Sequence, residues 1–257
     1  MAEPQQAPHR NELLRRMSAD DLARLQPFLQ HCPLDAKATL EAAGARIDVV
    51  YFLEDGLGSV IARTLKHGDA EVGFIGFEGM TGSPLVMGVE HATHDCRVQL
   101  AGHALRIDAG RFGEVLVASP TLRLFLLRYV HCLHIQTSYT ALTNARLKLE
   151  DRLARWLLMC DDRVVGSHFS MTHEFLSIML GVRRPGVTLA LQLLEGRGLI
   201  RARRGEILVR DRDGLKAMAD GYGQPEAEYL RLVGEIGGAD RSSLDATTEP
   251  GLPEAAR

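Results

Sequence analysis

The chain has 257 residues, of which 46% are hydrophobic and 25% are charged, so a wholly disordered protein is excluded. The length allows one large domain or two ordinary ones. No apolar run is long enough for a membrane span, and residues 1–16 lack the apolar region of a secretory signal. We therefore expect a cytoplasmic protein without contact to a membrane.

The formal net charge of −3 is distributed unevenly along the chain. Residues 1–145 carry −3, residues 146–223 carry +4 and residues 224–257 carry −4. Within the middle block, residues 183–212 contain eight arginines and three acidic residues. This local excess of positive charge predicts either a surface that binds a polyanion or a solvated basic face.

The first half of the chain combines helical and strand signals. Ser18 followed by two acidic residues, and leucines at helical spacing, predict a helix over residues 10–31. From residue 44 to 112, glycines separate short apolar runs, a pattern typical of a small sandwich or barrel. The predicted strands are Ile47–Phe52, Leu57–Ile61, Ala70–Phe74, Val98–Leu100 and Ala104–Ile107.

Residues 120–144 form the longest predicted helix, because Ser119-Pro120 is a start signal and no further Pro or Gly occurs before Gly166. Two of its faces are apolar, so one is expected to pack on the strand domain and the other on the same helix of a second chain. A core helix of a monomer is the alternative. The heptad-like seam assigned to the dimer interface comprises Leu122, Leu126, Tyr129, Leu133, Gln136 and Thr140.

Residues 171–209 have the pattern of a winged helix–turn–helix. Thr172 can cap a first helix, Gly181 suits the turn, and a second helix follows from about residue 183 to 195. An arginine-rich hairpin comes next and predicts a wing that contacts phosphates, although a winged helix can also bind protein. The predicted DNA-binding residues are Thr172, His173, Arg183, Arg184, Thr188, Arg201, Arg203 and Arg204.

Other functional classes have little support. The cysteines at 32, 96, 132 and 160 are not spaced as metal ligands, and the histidines form no such pattern either. The common phosphate-loop and hydrolase motifs are absent, so we expect no enzyme, metal or cofactor. Residues 224–257 contain few large apolar groups and are predicted to be a disordered acidic tail.

Three segments, residues 151–158, 180–184 and 193–200, together with residues 75–82, resemble members of the Crp/Fnr superfamily of bacterial transcription regulators. The resemblance covers about residues 12–222. It implies an α+β fold with a jelly-roll-like β-roll sensor domain and its dimerisation helix in residues 1–145. It also implies a winged helix–turn–helix in residues 146–223, and a homodimer that binds double-stranded DNA and works with RNA polymerase.

The resemblance also suggests an effector pocket, which would be formed by Gly76, Glu78, His94, Arg97, Thr137 and Ser138. Cyclic AMP is not expected there, because His94 occupies the position of the phosphate-binding arginine and Asp95 stands beside it. A carboxylate at that place opposes a phosphate diester. The effector therefore stays unidentified, and a β-roll that serves only as a scaffold or contacts RNA polymerase is an open alternative.

The second predicted helix of the motif departs from the best-known members of the superfamily. Pro185 and Leu189 replace a glutamate and a second arginine, so base readout must differ. Arg183 and Arg184 are the candidates for bidentate contact to guanine. A cyclic-nucleotide-binding module without DNA affinity is the alternative function, against which the basic hairpin argues.

Overall fold

The computed structural model describes residues 9–64, 66, 68–164, 168–203 and 205–234, and its N-terminal half is a β-roll. The strands are β1 (Gln30–Leu34), β2 (Thr39–Glu41), β3 (Val49–Leu53), β4 (Leu57–Thr64), β5 (Gly68–Ile75), β6 (Asp95–Leu100) and β7 (Gly102–Asp108). They form two antiparallel sheets, with the orders β1-β7-β3 and β2-β6-β4-β5. Four of the five predicted strands lie within observed strands, and the fifth, Ile47–Phe52, overlaps β3 from Val49 onwards. Strands β1 and β2 were not predicted.

The predicted helix over residues 10–31 is wrong in its extent. The structure has two short helices there, α1 (Glu12–Arg16) and α2 (Ala19–Leu25), and strand β1 follows a short 3-10 turn. Ser18 breaks the helix because it adopts an extended conformation and accepts a hydrogen bond from the Asp21 N–H at 3.2 Å. Pro27 then lacks the N–H that a continuing helix would need.

Three more helices complete the N-terminal part: α3 (Ser83–Val86), α4 (Ala109–Ala118) and α5 (Pro120–Arg146). Helix α5 begins at Pro120, as predicted, with the Ser119 hydroxyl accepting from the Leu122 N–H at 3.3 Å. Within the described ranges, no single helix is long and apolar enough to cross a membrane. Helices α4 and α5 are long and apolar enough only when they are taken together, and the chain bends by 115° between them.

The seam of α5 assigned to the dimer interface faces the chain's own β-roll. Leu122, Leu126 and Tyr129 are buried in the N-terminal core. The Tyr129 hydroxyl donates to the Met80 carbonyl and accepts from the Met80 N–H, both at 3.0 Å. Gln136 Oε1 accepts from the Phe74 N–H at 2.8 Å.

The dimer-interface assignment is therefore wrong for Leu122, Leu126, Tyr129 and Gln136, which are buried within their own chain, whereas it stays a prediction for the half-buried Leu133 and Thr140. Leu133 is partly buried against the β-roll cores, and Thr140 Oγ1 lies 3.4 Å from Arg155 Nη1 of the same chain. Heptad spacing identifies a face that must be buried, but it does not say which surface buries it. In this chain the β-roll buries the seam from Leu122 to Gln136, and α6 of the winged-helix part contacts Thr140.

The winged-helix part has three strands and four helices among the described residues. They are α6 (Leu149–Asp161), β8 (His168–Ser170), α7 (His173–Met179), α8 (Arg184–Gly196), β9 (Ile200–Arg203), β10 (Glu206–Val209) and α9 (Arg212–Met218). The strands form a small antiparallel sheet in the order β8-β10-β9. Leu176, Val187, Leu194 and Ile207 pack in one core beneath both helices of the motif.

The winged-helix part packs against the β-roll. Trp156 of α6 contacts Phe74 of β5 edge-on, with ring centroids 6.2 Å apart, and both lie in the same hydrophobic core. The Trp156 indole N–H donates to Glu71 Oε1 at 2.7 Å, in a buried position. The core of the winged helix thus continues into the β-roll, which couples the position of one to the other.

The predicted disordered tail over residues 224–257 is wrong for its first part. Helix α10 (Gln224–Gly234) packs against α5 and contacts α1. Val233 is fully buried in the N-terminal core with Leu13 and Leu14, and Tyr229 packs against that core. This apolar burial offsets the entropy lost on ordering the segment. Residues 235–257 lie outside the described residues.

Candidate nucleic-acid interface

The turn between α7 and α8 fixes the angle of the helix–turn–helix. Gly181 has a φ of +62°, a left-handed conformation that glycine adopts without strain. The Val182 N–H then donates to the Ser177 carbonyl at 2.9 Å and closes the turn. Thr172 caps α7, since its hydroxyl accepts from the Phe175 N–H at 3.2 Å. These contacts leave the N-terminal end of α8 at the surface.

Both predicted base-reading arginines lie at this end of α8. Arg183 is the N-cap residue, Arg184 is the first helical residue, and both are exposed. Pro185 occupies the first turn, where its missing N–H is not needed. Arg184 Nη2 lies 2.8 Å from Glu174 Oε2, but both side chains are largely exposed. Such a surface pair contributes little stability, so DNA can replace Glu174 as the partner of Arg184.

Two more predicted residues join this surface. His173 Nδ1 lies 3.1 Å from Thr188 Oγ1, and the Thr188 hydroxyl donates to the Arg184 carbonyl at 3.2 Å. Thr188 therefore lies one helical turn beyond Arg184 on the same side of α8. His173, Thr188 and Arg184 thus lie together on one surface, and Thr172 is engaged as a helix cap. Their contact with DNA stays a prediction.

The wing carries exposed arginines on one strand. Arg201 and Arg203 stand two residues apart on β9 and share a face of the hairpin. The hairpin is joined to α8 through Glu195, whose Oε1 accepts from the Ala202 N–H at 3.1 Å. Arg204, the third predicted wing arginine, lies outside the described residues.

The structure adds two residues that the sequence reasoning missed. Leu189 is 60% exposed although it is apolar, and Gln192 is exposed one turn after Thr188. Residues 184, 188 and 192 are spaced by four, so they form one stripe along α8. A glutamine on this stripe can read adenine, and an exposed leucine can contact a thymine methyl group. The four-residue spacing from Arg184 would have identified Gln192, whereas Leu189 lies five residues after Arg184 and outside this stripe.

Of the six residues predicted to form an effector pocket, Gly76 and Glu78 are in contact, and only Glu78 lines the cavity that the structure forms beside it. Glu78 binds Arg163, with Oε1 and Nε 2.6 Å apart, and accepts from the Gly76 N–H at 3.2 Å. Arg97 lies on β6, where it pairs with the buried Asp95 at 3.1 Å, and Arg63 pairs with the same carboxylate. Thr137 and Ser138 are exposed on α5.

The corrected assignment of the six residues leaves Glu78 alone at a cavity. Gly76, His94, Arg97, Thr137 and Ser138 do not line that cavity. The resemblance placed these residues in one pocket because of their positions in the family. In this chain Glu78 forms an ion pair with Arg163, and Arg97 forms one with Asp95. In the described part of the chain, no group of three or more His, Cys, Asp or Glu side chains could hold a metal ion.

Residues 151–218 match the family of Crp-like helix-turn-helix domains. Three similar solved structures are a Crp/Fnr-family transcriptional regulator from Eubacterium rectale, FixK2 from Bradyrhizobium japonicum, and the c-di-GMP responsive global regulator CLP from Xanthomonas campestris. The first is 14% identical, with 78% of this chain and 94% of that chain covered and a TM-score of 0.63.

FixK2 is 14% identical, with 74% of this chain and 97% of that chain covered and a TM-score of 0.61. CLP is 16% identical, with 74% of this chain and 98% of that chain covered and a TM-score of 0.57. At these identities the similarity establishes the fold. No curated protein sequence matches the chain.

A β-roll, a long helix and a winged helix with an exposed basic surface define a DNA-binding regulator. Residues 151–218 are a Crp-like helix-turn-helix domain, and the chain as a whole has the fold of the solved Crp/Fnr structures. The predicted fold class and the predicted DNA-binding regulation are thereby confirmed, whereas the homodimer stays a prediction. Nothing supports the alternative of a cyclic-nucleotide module without DNA affinity.

Proposed function

We propose that this regulator binds a near-palindromic DNA operator as a homodimer, with α8 reading each half-site in the major groove. The exposed N-terminal end of α8, with Arg183 and Arg184, carries this proposal. In the helix–turn–helix geometry these residues reach base edges, and half-sites lie about 34–36 Å apart in dimers. RNA polymerase is the proposed protein partner, and the function needs neither a cofactor nor a catalytic step.

The proposed dimer interface is the face of α5 opposite to the predicted seam. Leu124, Leu127 and Leu142 are 54%, 38% and 52% exposed, although they are apolar. They lie on a stripe with His131 and Ser138, spaced by three, four or seven residues, which is the spacing of a helix–helix contact. From Leu124 to Leu142 this stripe is about 27 Å long. A second copy of α5 would cover it.

Replacing both Leu124 and Leu127 by lysine is expected to give monomers in sedimentation velocity experiments, because four positive charges would meet in the interface. Val117→Lys is the matched control, since Val117 is 86% exposed and lies on α4, outside the stripe. Circular dichroism should show both variants folded. A double variant that stays dimeric, or a control that dissociates equally, would refute this interface.

Arginine variants should separate base reading from phosphate binding on a duplex selected from a random library. Arg184→Ala is expected to weaken binding to the selected duplex by about 1–3 kcal/mol and to relax specificity at one position. Arg203→Ala should weaken binding to the selected and the scrambled duplex alike. It should also reduce the slope of log K against the logarithm of the salt concentration by about one for each phosphate contact that is lost.

The control for these binding curves is Arg24→Ala, which removes one positive charge from an exposed position of α2. It should leave the affinities for the selected and the scrambled duplex unchanged. If Arg184→Ala weakens both duplexes equally while Arg203→Ala abolishes discrimination, the two roles have been assigned in reverse. If no duplex is enriched from the library, the proposed operator binding itself is wrong.

Cyclic AMP is not the proposed effector. The Asp95 carboxylate is buried between Arg63 and Arg97 and binds both, so Arg97 is already paired. A cyclic phosphate at this place would have to displace a buried carboxylate from its cations.

A further inference from the structure

A cavity of about 280 Å³ lies where the β-roll, α5, the winged-helix part and α10 meet. Its size is close to the lower end of the range typical of small-molecule sites. It is a different place from the pocket that the family resemblance implied, because five of the six residues assigned to that pocket do not line it. The ligand that fits it must therefore be inferred from the chemistry of its own walls.

Helix α10 forms one wall of the cavity and is held in place by contacts of its own. The Tyr229 hydroxyl donates to the Glu78 carbonyl of the β-roll at 2.6 Å, and Val233 is fully buried in the N-terminal core. Just before α10, the Tyr222 hydroxyl donates to Asp162 Oδ2 of the winged-helix part at 2.8 Å. The cavity is therefore formed before a ligand enters, as small-molecule sites usually are.

Most of the lining is apolar or aromatic. Phe77 contributes from the β-roll, Cys132 and Leu133 from α5, and Tyr229 and Leu230 from α10. Burial raises the pKa of the Cys132 thiol to about 11, so this side chain is uncharged at neutral pH. Leu230 is 58% exposed although it is apolar, which leaves part of the wall in contact with water. Covering such a surface with an apolar ligand is favourable.

Two carboxylates of the lining form ion pairs within the chain. Glu78 Oε1 lies 2.6 Å from Arg163 Nε, and Arg163 is buried together with it. Asp162 pairs with Arg212, which approaches it from outside the lining. Neither carboxylate therefore needs a charged ligand as its partner.

The third carboxylate of the lining, that of Glu226, is compensated as well. Its Oε2 accepts from the Gly223 N–H at 2.9 Å. Burial lowers the pKa of Arg155, and the negative charge of Glu226 opposes this shift, so the two groups interact. Three carboxylates are thus matched by the guanidinium groups of Arg155, Arg163 and Arg212. A charged ligand would lose hydration here without gaining an unpaired partner, which is unfavourable.

The volume of the cavity limits the size of the ligand. An apolar cavity of about 150 Å³ holds one benzene ring. A cavity of about 280 Å³ therefore has room for two fused rings or for one ring with a short side arm.

Gln136 adds an uncharged hydrogen-bond donor to the lining. Its Oε1 accepts from the Phe74 N–H at 2.8 Å, which fixes the orientation of the amide. Its Nε2 keeps some accessible surface and has no hydrogen-bond partner among the described residues. A hydroxyl or carbonyl oxygen on the ligand can accept from this group without bringing a charge into the cavity.

We propose that this cavity is the effector site of the regulator and that it takes a small uncharged aromatic molecule of about two fused rings. The rings would lie against Phe77, Leu133 and Tyr229, and Leu230 would cover them at the mouth of the cavity. Aromatic pairs add to the free energy of apolar burial. The assignment as an effector site rests on the proposed function, whereas ligand binding itself does not.

A ligand in this cavity would touch both halves of the molecule. Phe77 belongs to the β-roll, whereas Arg163 and Tyr222 belong to the winged-helix part. Binding would therefore depend on how the winged helix is docked on the β-roll. Any difference in ligand affinity between the DNA-bound and free states must appear equally as an effect of the ligand on DNA affinity.

Three probes of similar size test the ligand class by isothermal titration calorimetry on the full chain without DNA at neutral pH. They are tryptophol, tryptamine and indole-3-acetate, which share an indole body and are uncharged, positive and negative, respectively. Tryptophol is expected to bind at least about tenfold more tightly than either ion, because only the ions must give up the hydration of a charge. Saturating tryptophol should also change the affinity for the selected duplex at least about threefold.

A pair of variants tests the location of the site. Leu230→Glu replaces an apolar wall residue by a carboxylate and should weaken tryptophol binding at least about fivefold. Val117→Glu introduces the same charge at an exposed position of α4 outside the cavity and should leave the affinity unchanged. Both positions are exposed, so both variants should fold, which circular dichroism checks.

Each outcome decides a separate question. No binding of tryptophol at millimolar concentration, equal or tighter binding of either ion, or an unchanged affinity in Leu230→Glu would overturn the proposed site. An unchanged duplex affinity at saturating tryptophol would overturn its role as an effector site. Enrichment of a duplex is measured separately without tryptophol. If a duplex is enriched and tryptophol does not bind, only the cavity proposal fails. If tryptophol binds and no duplex is enriched, the operator-binding proposal fails instead.

Discussion

Replacing Leu126 by alanine is expected to lower the free energy of unfolding by about 2–5 kcal/mol, because Leu126 is completely buried in the N-terminal core. The loss should be the same at all protein concentrations, since the leucine packs within its own chain. Leu124→Ala removes the same atoms from the exposed stripe of α5. Its effect should arise only where the dimer is populated and should therefore depend on protein concentration.

Chemical denaturation of both variants at several protein concentrations checks this pair of predictions. A loss of less than about 1 kcal/mol for Leu126→Ala would mean that the seam does not pack on the β-roll as the structure places it. If the loss of unfolding free energy in Leu126→Ala depended on protein concentration, the dimer interface would be the seam that the sequence first suggested.

Glu71 is expected to make the regulator less stable as the pH rises from about 4.5 to about 7. Burial raises the pKa of Glu71 from 4.5 to about 7, although the Trp156 N–H and the charges of Arg155 and Arg163 act in the opposite direction. In this window the unfolded chain ionises first while the folded chain keeps its proton. The folded state then binds more protons than the unfolded state. The free energy of unfolding therefore falls as the pH rises, by about 3 kcal/mol in total.

Glu71→Gln should remove this slope and be more stable than the parent chain at pH 8, by about 1–3 kcal/mol. The amide keeps an oxygen that can accept from the Trp156 indole. Glu206→Gln is the matched control, because Glu206 is exposed, and it should keep the parent's slope. Urea denaturation between pH 4.5 and 8 supplies the measurement, and an unchanged slope in Glu71→Gln would show that another group titrates.

The elements with local signals could be predicted from the sequence. Glycine-bounded apolar runs located five strands, Ser119-Pro120 located the start of α5, and Gly181 located the turn of the helix–turn–helix. In each case a residue within the segment determines the local backbone. The surface formed by Arg184, Thr188 and His173 was also predictable, because it lies within one continuous motif.

Partners that are distant in the sequence could not be predicted. The pattern of α5 showed two apolar faces but not that Tyr129 binds the backbone of Met80. Helix α10 has a weak signal, Tyr229 and Val233 at helical spacing, which the acidic composition of the surrounding segment concealed. The cavity depends on Glu78 meeting Arg163, 85 residues later, and only the folded chain brings them together.

The packing of α10 also has a consequence for the order of folding. Val233 completes a core that otherwise consists of residues 13–132, so the first and last described helices close the same cluster. During synthesis at about 5–20 residues per second, the β-roll must wait for about 100 further residues before this core is complete. Until α10 has left the ribosome, the apolar surface that it covers stays open to water and to other nascent chains. Ribosome-bound chains that end before α10 should therefore be sensitive to proteases at the β-roll.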